Sequence, residues 1–542
     1  MTHSRSMRLS AMLVALLLSA LIPATAGGAD ARMRVIVHAT TALEDAATAV
    51  TAWGGEVVRE LGPFGMLVAE VPAGALDELH ADARTGTIAP DSQLEVHSQE
   101  FEDGAVQAAT AATNAPTAWA EGNDGEGVGV VLVDTGISEH PDLGDRVIAA
   151  IDFTEEQDGL DHHGHGTFLA GLVAGDGSES GGVNAGVAPG AHLVSVKVAG
   201  KDGTTTLSAV LQGLVAADRA RELYDSPVVL LALSGPVGNA PDPIMIALEM
   251  LWARGSVVVV TAGNSGPDAG SVGSPGADPY LITVGATDGD TVADWSSRGP
   301  NPWGHAKPDL VAPGTSTIGL RAPGSTIDNQ HPTAKVDDHY FKGTGTSMSA
   351  ALAAGAAAVV LSADPGLSPD GVKGRLMAGA DGSLDADRMA MGAGALDVAA
   401  AVDSDAGPAN QDLPPLPEPR TLPGKRKAVG HATGKAAAPA TAGWNWGGWN
   451  WGGWNWSHTD WTGWNWSAEY WAGWNWGGWN WGSSEWSGWN WSGWNWSGWN
   501  WSGWNWSGWN WSGWNWSGWN WSGWNWSGWN WSGWEWTGWS WG

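Results

Sequence analysis

A chain of 542 residues with no cysteine and a formal charge of −32 has room for one large core and two or three smaller pieces. The missing cysteines exclude a disulfide framework, a thiol nucleophile and a thiolate-held metal. The acidity, interrupted by little more than the short Lys425-Arg426-Lys427 run, repels phosphate backbones and excludes nucleic acid as the expected partner.

Arg5 and Arg8 precede an apolar run from Ala11 to Ile22, and Ala24-Thr25-Ala26 offers small residues to a signal peptidase. The run falls well short of the roughly 20 apolar residues that span a bilayer. Residues 1–26 therefore read as a signal peptide, and the protein as secreted, either free or held at the cell surface.

From residue 33 to 98 the pattern predicts strand (Met33–Val37), helix (Leu43–Trp53), strand (Gly55–Leu61), strand (Met66–Val71), helix (Ala73–Leu79) and strand (Gln93–Val96). That order is the split βαβ, or ferredoxin-like, arrangement of a small α+β domain. Acidic, Ala-rich sequence between Glu100 and Thr113 follows, as expected of an exposed connector and cleavage zone.

Residues 115–402 alternate short β-branched runs (Val128–Val133, His192–Val198, Val228–Leu233, Val257–Val260, Leu281–Val284) with helical stretches at Leu207–Tyr224 and Pro243–Arg254. Continuous Val/Ile/Leu runs separated by helices predict an α/β domain whose mostly parallel sheet is buried on both faces, with its chemistry at the strand ends. The apolar stretch Ala350–Leu361 is short and Ala-rich, and reads as a buried helix. Residues 403–442 are Pro- and Ala-rich with no apolar period, hence a linker. Residues 443–542 become a five-residue repeat, Trp-Asn-Trp-Ser-Gly, irregular at first and then nearly uniform.

Peptide hydrolysis at neutral pH needs an activated hydroxyl, a base, a group that fixes the base, and donors for the developing oxyanion. Asp134 ends the run Val130–Val133 before Thr135-Gly136, and His165 stands in Gly164-His165-Gly166-Thr167 at an apparent helix start. Asn264 follows Val257–Val260 in Ala262-Gly263-Asn264-Ser265, and Ser347 lies in Gly345-Thr346-Ser347-Met348-Ser349-Ala350.

These four tags, in the order Asp, His, Asn, Ser on alternating β and α elements, resemble the subtilisin-like (subtilase) serine proteases over nearly all of residues 115–401. Gly186-Val187-Ala188-Pro189-Gly190, Ser296-Ser297-Arg298-Gly299-Pro300 and Lys307-Pro308-Asp309-Leu310-Val311-Ala312-Pro313-Gly314 extend the likeness. The resemblance implies that Ser347 attacks the scissile carbonyl, His165 serves as base and then acid, Asp134 orients the imidazole, and Asn264 with the Ser347 backbone N–H stabilises the oxyanion. His163 precedes the Gly-Thr tag by one position too many to be the base. A sedolisin-like arrangement would need a glutamate base and an aspartate at the oxyanion position, where this chain has His165 and Asn264.

Three departures stand out: Phe168 where the family usually carries a second histidine, Ala351-Leu352 after the nucleophile in place of Pro-His, and Ser234 in place of a glycine. Leu231, Ala232, Leu233, Ser234 and Gly235 match the segment that pairs with extended substrate and walls the specificity pocket, so Ser234 bears on side-chain preference. No cofactor is required for the chemistry. Calcium is common among relatives as a structural ion, but no ligand spacing here names its residues, and Asp142, Asp145 and Asp158 read as turn residues. The small domain resembles the inhibitory propeptides of the family, an intramolecular partner that blocks the cleft until cut.

Trp at two of every five tail positions demands a cover for the rings: cell-wall glycan, a lipid interface, another copy of itself, or covalent cross-linking. Two functions follow for the whole chain. One is an exported, self-processing endopeptidase acting on extended polypeptides, with the tail for location or assembly. The other is a surface or interaction protein whose product is the tail, processed or displayed by the protease domain.

Overall fold

The computed structural model describes residues 31–95, 109–237 and 242–416, together with short strands between 450 and 541. The signal segment, most of the connector after Glu100 and the rest of the linker lie outside the described residues. The described parts fall into two units, divided between Lys425 and Arg426.

The first unit opens with β1 (Arg32–Ala39), α1 (Leu43–Ala52), β2 (Glu56–Leu61), β3 (Met66–Pro72), α2 (Leu76–Ala81) and β4 (Thr85–Pro90), which form an antiparallel sheet of order β2-β3-β1-β4. Side-chain alternation along a strand sends Val35, Val37, Leu67 and Ala69 to one face, where they pack on Ala46 and Val50 of α1. Ile36, Met66 and Val68 point the other way and join the core of the larger body. The sequence placed the last strand of this sheet at Gln93–Val96, and the structure corrects that. Thr85–Pro90 takes the position, a segment whose Gly86 and Pro90 give it little strand propensity and whose pairing with β1 decides its state. Gln93–Glu95 forms β5 and pairs elsewhere, as described below. The helix expected over Ala73–Leu79 begins as a 3-10 turn at Ala73–Ala75 before α2.

The larger body starts with α3 (Ala109–Ala112) and α4 (Ala115–Ala120). It continues through β6 (Gly129–Asp134), β7 (Val147–Asp152), α5 (His165–Ala174), β8 (His192–Lys197), β9 (Thr204–Thr206), α6 (Leu207–Leu223), β10 (Val228–Leu231), α7 (Pro243–Ala253), β11 (Val257–Thr261), β12 (Ile282–Asp288), β13 (Thr291–Val292) and β14 (Leu310–Pro313). The main sheet has the order β13-β12-β11-β10-β6-β8-β7, with β14 also on β12, and every pairing is parallel except β12 with β13. The run Val128–Val133 is β6 displaced by one residue, which makes Asp134 the last residue of the strand. Val228–Leu233 is cut short at Leu231, so residues 232–235 leave the sheet. The strand Val147–Asp152 was not foreseen, because it lies on the sheet edge with a mixed exposure pattern.

A hairpin of β15 (Thr317–Leu320) and β16 (Tyr340–Gly343), with α8 (Thr326–Gln330) between them, leads to α9 (Thr346–Ala363). Every residue from Thr346 to Leu361 is buried, because small alanines let the helix sit between α5 and the sheet. Its 18 residues are long and apolar enough to cross a membrane, yet 89% of it is buried inside the protein, which identifies a core helix. Helices α10 (Pro369–Gly379), α11 (Arg388–Met391) and α12 (Val398–Asp403) complete the body. Residues beyond 402 remain against it: Asn410 Nδ2 donates to the Tyr280 carbonyl at 3.0 Å and to Asp370 at 2.6 Å.

Beneath α7 and α10 lies a buried charge cluster. Lys307 Nζ donates to Asp309 Oδ2 at 2.7 Å and to Leu281 O at 2.9 Å, and Lys373 Nζ reaches Asp309 Oδ1 at 3.1 Å. Burial pushes the Lys307 ammonium down to about 8 against the pull of Asp309. Nearby, burial and the Asp278 carboxylate push Glu249 up to about 8, from an ordinary 4.5. A carboxyl whose folded value is raised contributes its full stability below the unfolded value and loses it as pH rises through the folded one. Stability should therefore fall between about pH 4.5 and 8, and Glu249→Gln should flatten that part of the profile in urea unfolding of a Ser347→Ala chain. An unchanged slope would remove Glu249 from the account.

In the second unit, strands of two or three residues pair in parallel, and from Asn475 onward they recur every five residues. Asn490 faces Asn510 and then Asn530, Trp491 faces Trp511 and then Trp531, and Asn495 faces Asn515. The pairing step is one coil of four repeats, so most residues face a residue of the same type. Earlier in the segment the step is one repeat longer, from Asn450 to Asn475, Asn455 to Asn480 and Trp461 to Trp486. Adjacent coils in such a solenoid lie about 4.8 Å apart and satisfy one another's backbone groups.

Candidate active site

Parallel β6 and β11 flank β10, and the site lies at their carboxyl ends, where side chains leave the sheet toward the same edge. Asp134 closes β6 and is 1% exposed. Its Oδ1 accepts the Thr135 N–H at 2.8 Å and meets His165 Nδ1 at 2.8 Å. His165 is the first residue of α5, and the turn into that helix requires Gly164, whose φ is 106° and where a Cβ would strike Ser325 Oγ at 2.5 Å. The other ring nitrogen, Nε2, is buried with no hydrogen-bond partner. Burial opposes charge on this imidazole, but the Asp134 charge and hydrogen bond, helped by Asp161, outweigh it and hold the pKa above the ordinary value.

Asp161, which sequence reasoning missed, has a large part in the site. Its Oδ1 accepts from Thr135 Oγ1 at 2.8 Å, His163 N at 3.1 Å and Gly164 N at 2.6 Å, and its Oδ2 accepts from Thr167 N and Thr167 Oγ1, each at 2.7 Å. One buried carboxylate thus ties the end of β6 to the start of α5, fixing Asp134 and His165 relative to each other. The available signal was an aspartate four residues before the histidine in a Gly-punctuated turn.

His163 stands apart from the Asp134–His165 pair. Its ring centroid lies 6.4 Å from that of His165, and Nδ1 is buried without a partner. Burial and the neighbouring His165 charge lower its pKa, with Asp161, Asp134 and Asp202 opposing.

Ser347 is the second residue of α9, 3% exposed, at a helix N-terminus where backbone N–H groups lack intrahelical partners. Asn264, in the loop after β11, accepts the Thr346 N–H at 3.0 Å and the Thr346 hydroxyl at 2.8 Å through Oδ1. That assignment makes the opposite end of the amide, Nδ2, the donor. The helices carrying His165 and Ser347 pack together, and the unusual Phe168 contributes there. Phe168 and Met348 converge on Gly343, where a Cβ would lie 2.8 Å from one and 2.9 Å from the other. The replacement of Pro by Ala351 leaves α9 unbroken from Thr346 to Ala363.

Strand β5 runs antiparallel to β9, with Gln93 opposite Thr206, Leu94 opposite Thr205 and Glu95 opposite Thr204. Asp91 clamps the start of α6, accepting the Ser208 N–H and hydroxyl at 2.7 Å each. Gly203, which precedes β9, abuts His163: a Cβ there would lie 2.9 Å from its Nε2. Glu95 therefore lies opposite the end of β9 that adjoins His163, whose ring is 6.4 Å from that of His165.

Among the described residues, Glu156, Asp158 and His162 place ligand atoms within 4.8 Å of one another. The Lys197 ammonium occupies that neighbourhood, 2.6 Å from Glu156 Oε2 and bonded to the Leu160 carbonyl, so the set does not fit a divalent cation. Asp142, expected to be a turn residue, is fully buried: Ser178 Oγ and Glu179 N donate to Oδ1 at 3.0 and 2.9 Å, and Tyr340 OH donates to Oδ2 at 2.5 Å. Its oxygens are spent on joining its own turn to residues 178–179 and to the start of β16.

Residues 125–406 match the model of the subtilase family, and the chain belongs to that family. It is a serine-type endopeptidase by that membership. It is 42% identical over 289 residues to serine protease AprX of Bacillus subtilis (strain 168), an overlap of 50% of this chain and 65% of AprX, just under two thirds of the latter's length. Thermitase of Thermoactinomyces vulgaris is 34% identical over 252 residues, 46% of this chain and 79% of thermitase. Subtilisin Savinase of Lederbergia lenta is 37% identical over 255 residues, 47% of this chain and 83% of Savinase.

Proposed function

We propose that the protein is an exported endopeptidase that cuts extended polypeptides through Ser347, His165 and Asp134, and that it removes its own amino-terminal domain. The observation that carries the reading is the buried His165–Asp134 pair, whose outward nitrogen is unpartnered and whose helix packs on the one bearing Ser347. His165 takes the Ser347 hydroxyl proton through Nε2 as Oγ attacks the carbonyl, and returns it to the leaving amine. Asn264 Nδ2 and the Ser347 N–H donate to the oxyanion. Asn264→Ala should lower kcat about 100- to 1000-fold while leaving KM nearly unchanged, because the donor meets charge that exists only in the transition state. A matching rise in KM would count against that role.

Residues 33–98 fit an inhibitory propeptide. Their sheet shares a core with the body, Arg254 Nη2 donates to Pro63 O at 2.7 Å, and β5 occupies the edge of β9 that an extended substrate would use. The test is intact mass and casein hydrolysis of purified precursor at neutral pH, with and without residues 443–542. Both forms should release a fragment cut between residues 96 and 115 and then hydrolyse casein. Loss of surface retention alone on deletion makes the tail an anchoring accessory. Recovery of the tail as a separate accumulating product, without casein hydrolysis, would favour the surface-protein reading instead.

A further inference from the structure

Where β10 ends at Leu231, the chain leaves the sheet and returns to bridge Gly235 with Ser274, each N–H donating to the other's carbonyl at 2.8 Å. The loop after β11 runs alongside through Gly263 and Asn264. Two glycines, Gly263 (φ +100°) and Gly273, therefore face the space between these backbones, next to the amide that would hold the oxyanion. Built Cβ positions show what fills that space. Ser234 Oγ lies 2.8 Å from the one at Gly263 and 2.6 Å from the one at Gly273, while Ser297 Oγ is 3.2 Å from the former and the Gly235 carbonyl oxygen 2.6 Å from the latter. Ser234, half-buried, projects its hydroxyl into room that two glycines leave open.

We propose that Ser234 plugs this slot and restricts the enzyme to substrates whose residue on the acyl side of the cut is small: glycine, alanine or serine. The inference rests on the protease reading and names its substrate class. A carbonyl held by Asn264 and Ser347 sits one residue from Gly263, so the side chain of the residue that owns the carbonyl passes Gly263 on the side that faces Ser234, with Gly273, whose N–H donates to Ala262 O at 3.1 Å, closing the far end. A methyl or hydroxymethyl group fits beside a serine hydroxyl. An isobutyl or benzyl group must displace it or stay outside, and each methylene that loses its pocket costs roughly 10- to 200-fold in selectivity.

The test uses the full-length, self-processed enzyme and the series succinyl-Ala-Ala-Pro-X-p-nitroanilide with X as Ala, Ser, Leu or Phe. The parent should favour Ala and Ser over Leu and Phe by about 10-fold or more in kcat/KM. Ser234→Gly should raise the Phe/Ala and Leu/Ala ratios of kcat/KM about 10-fold, and Ser234→Val should lower both ratios further. A parent that favours Phe or Leu, or a Ser234→Gly profile equal to the parent's, overturns the inference while the protease reading stands. Hydrolysis of none of the four, with the parent matching Ser347→Ala, overturns the protease reading and this one with it.

Discussion

Ser347→Ala leaves the precursor at full mass and lowers peptide hydrolysis on the order of a millionfold, a magnitude carried over from subtilisin, whose own nucleophile shows that loss. The physical reason is specific to the geometry. His165 Nε2 is buried with no hydrogen-bond partner, and in the proposed mechanism the proton it takes is that of the Ser347 hydroxyl at the start of α9, so removal of Oγ leaves the base without a proton to take. The oxyanion donors survive the change, since Asn264 is oriented by Thr346 and not by Ser347, and residual rate over water should persist. Mass spectrometry of the incubated precursor and a casein assay read both consequences at once. If Ser347→Ala processed itself like the parent, another nucleophile would have to be sought.

Asp134→Asn is expected to reduce kcat about 10,000-fold, with KM nearly unchanged, by analogy with the aspartate of the chymotrypsin triad. Asp134 Oδ2 is buried without a partner, so an amide nitrogen placed there leaves unpaired donors. Turned the other way, the nitrogen faces His165 Nδ1, which must then accept. The proton moves to Nε2, and the base cannot take one from serine. In either orientation the negative charge that holds the His165 pKa up is gone. The acid limb of the residual pH–rate profile should therefore move to lower pH, a displacement that mere loosening of the fold does not produce. An acid limb that stays in place would separate Asp134 from the control of His165.

The reaction class was readable because each proposed catalytic side chain sits in a short, conformationally demanding segment. Gly164 before His165, Gly263 before Asn264 and Gly345 before Ser347 mark turns whose backbone the chemistry constrains. The alternation of buried strands and helices was readable for a similar reason, since a parallel sheet covered on both faces leaves continuous runs such as Val257–Thr261. What escaped the sequence was long-range. Thr85–Pro90 is a strand because β1 pairs with it, and Gln93–Glu95 is drawn out of its own domain by β9. Asp161 and Asp142 look like any loop aspartate until the donors that converge on them, from Thr135 to Thr167 and from Ser178 to Tyr340, are brought together by the fold. The buried ammoniums of Lys307 and Lys373 depend on Asp309 in the same way.

The pairing step of the tail bears on how such a gene can change. Most strands meet a neighbour of the same sequence one coil away, with Glu485, Glu535 and Ser540 among the exceptions, and coils of five repeats give way to coils of four within one segment. Gain or loss of a whole repeat shifts every later strand to the next side of the coil, where the edge it meets reads the same. Slippage during replication of a repetitive tract therefore lengthens or shortens the tail in whole repeats without opening the ladder. Tail length becomes a trait that can drift or be selected independently of the enzyme in front of it.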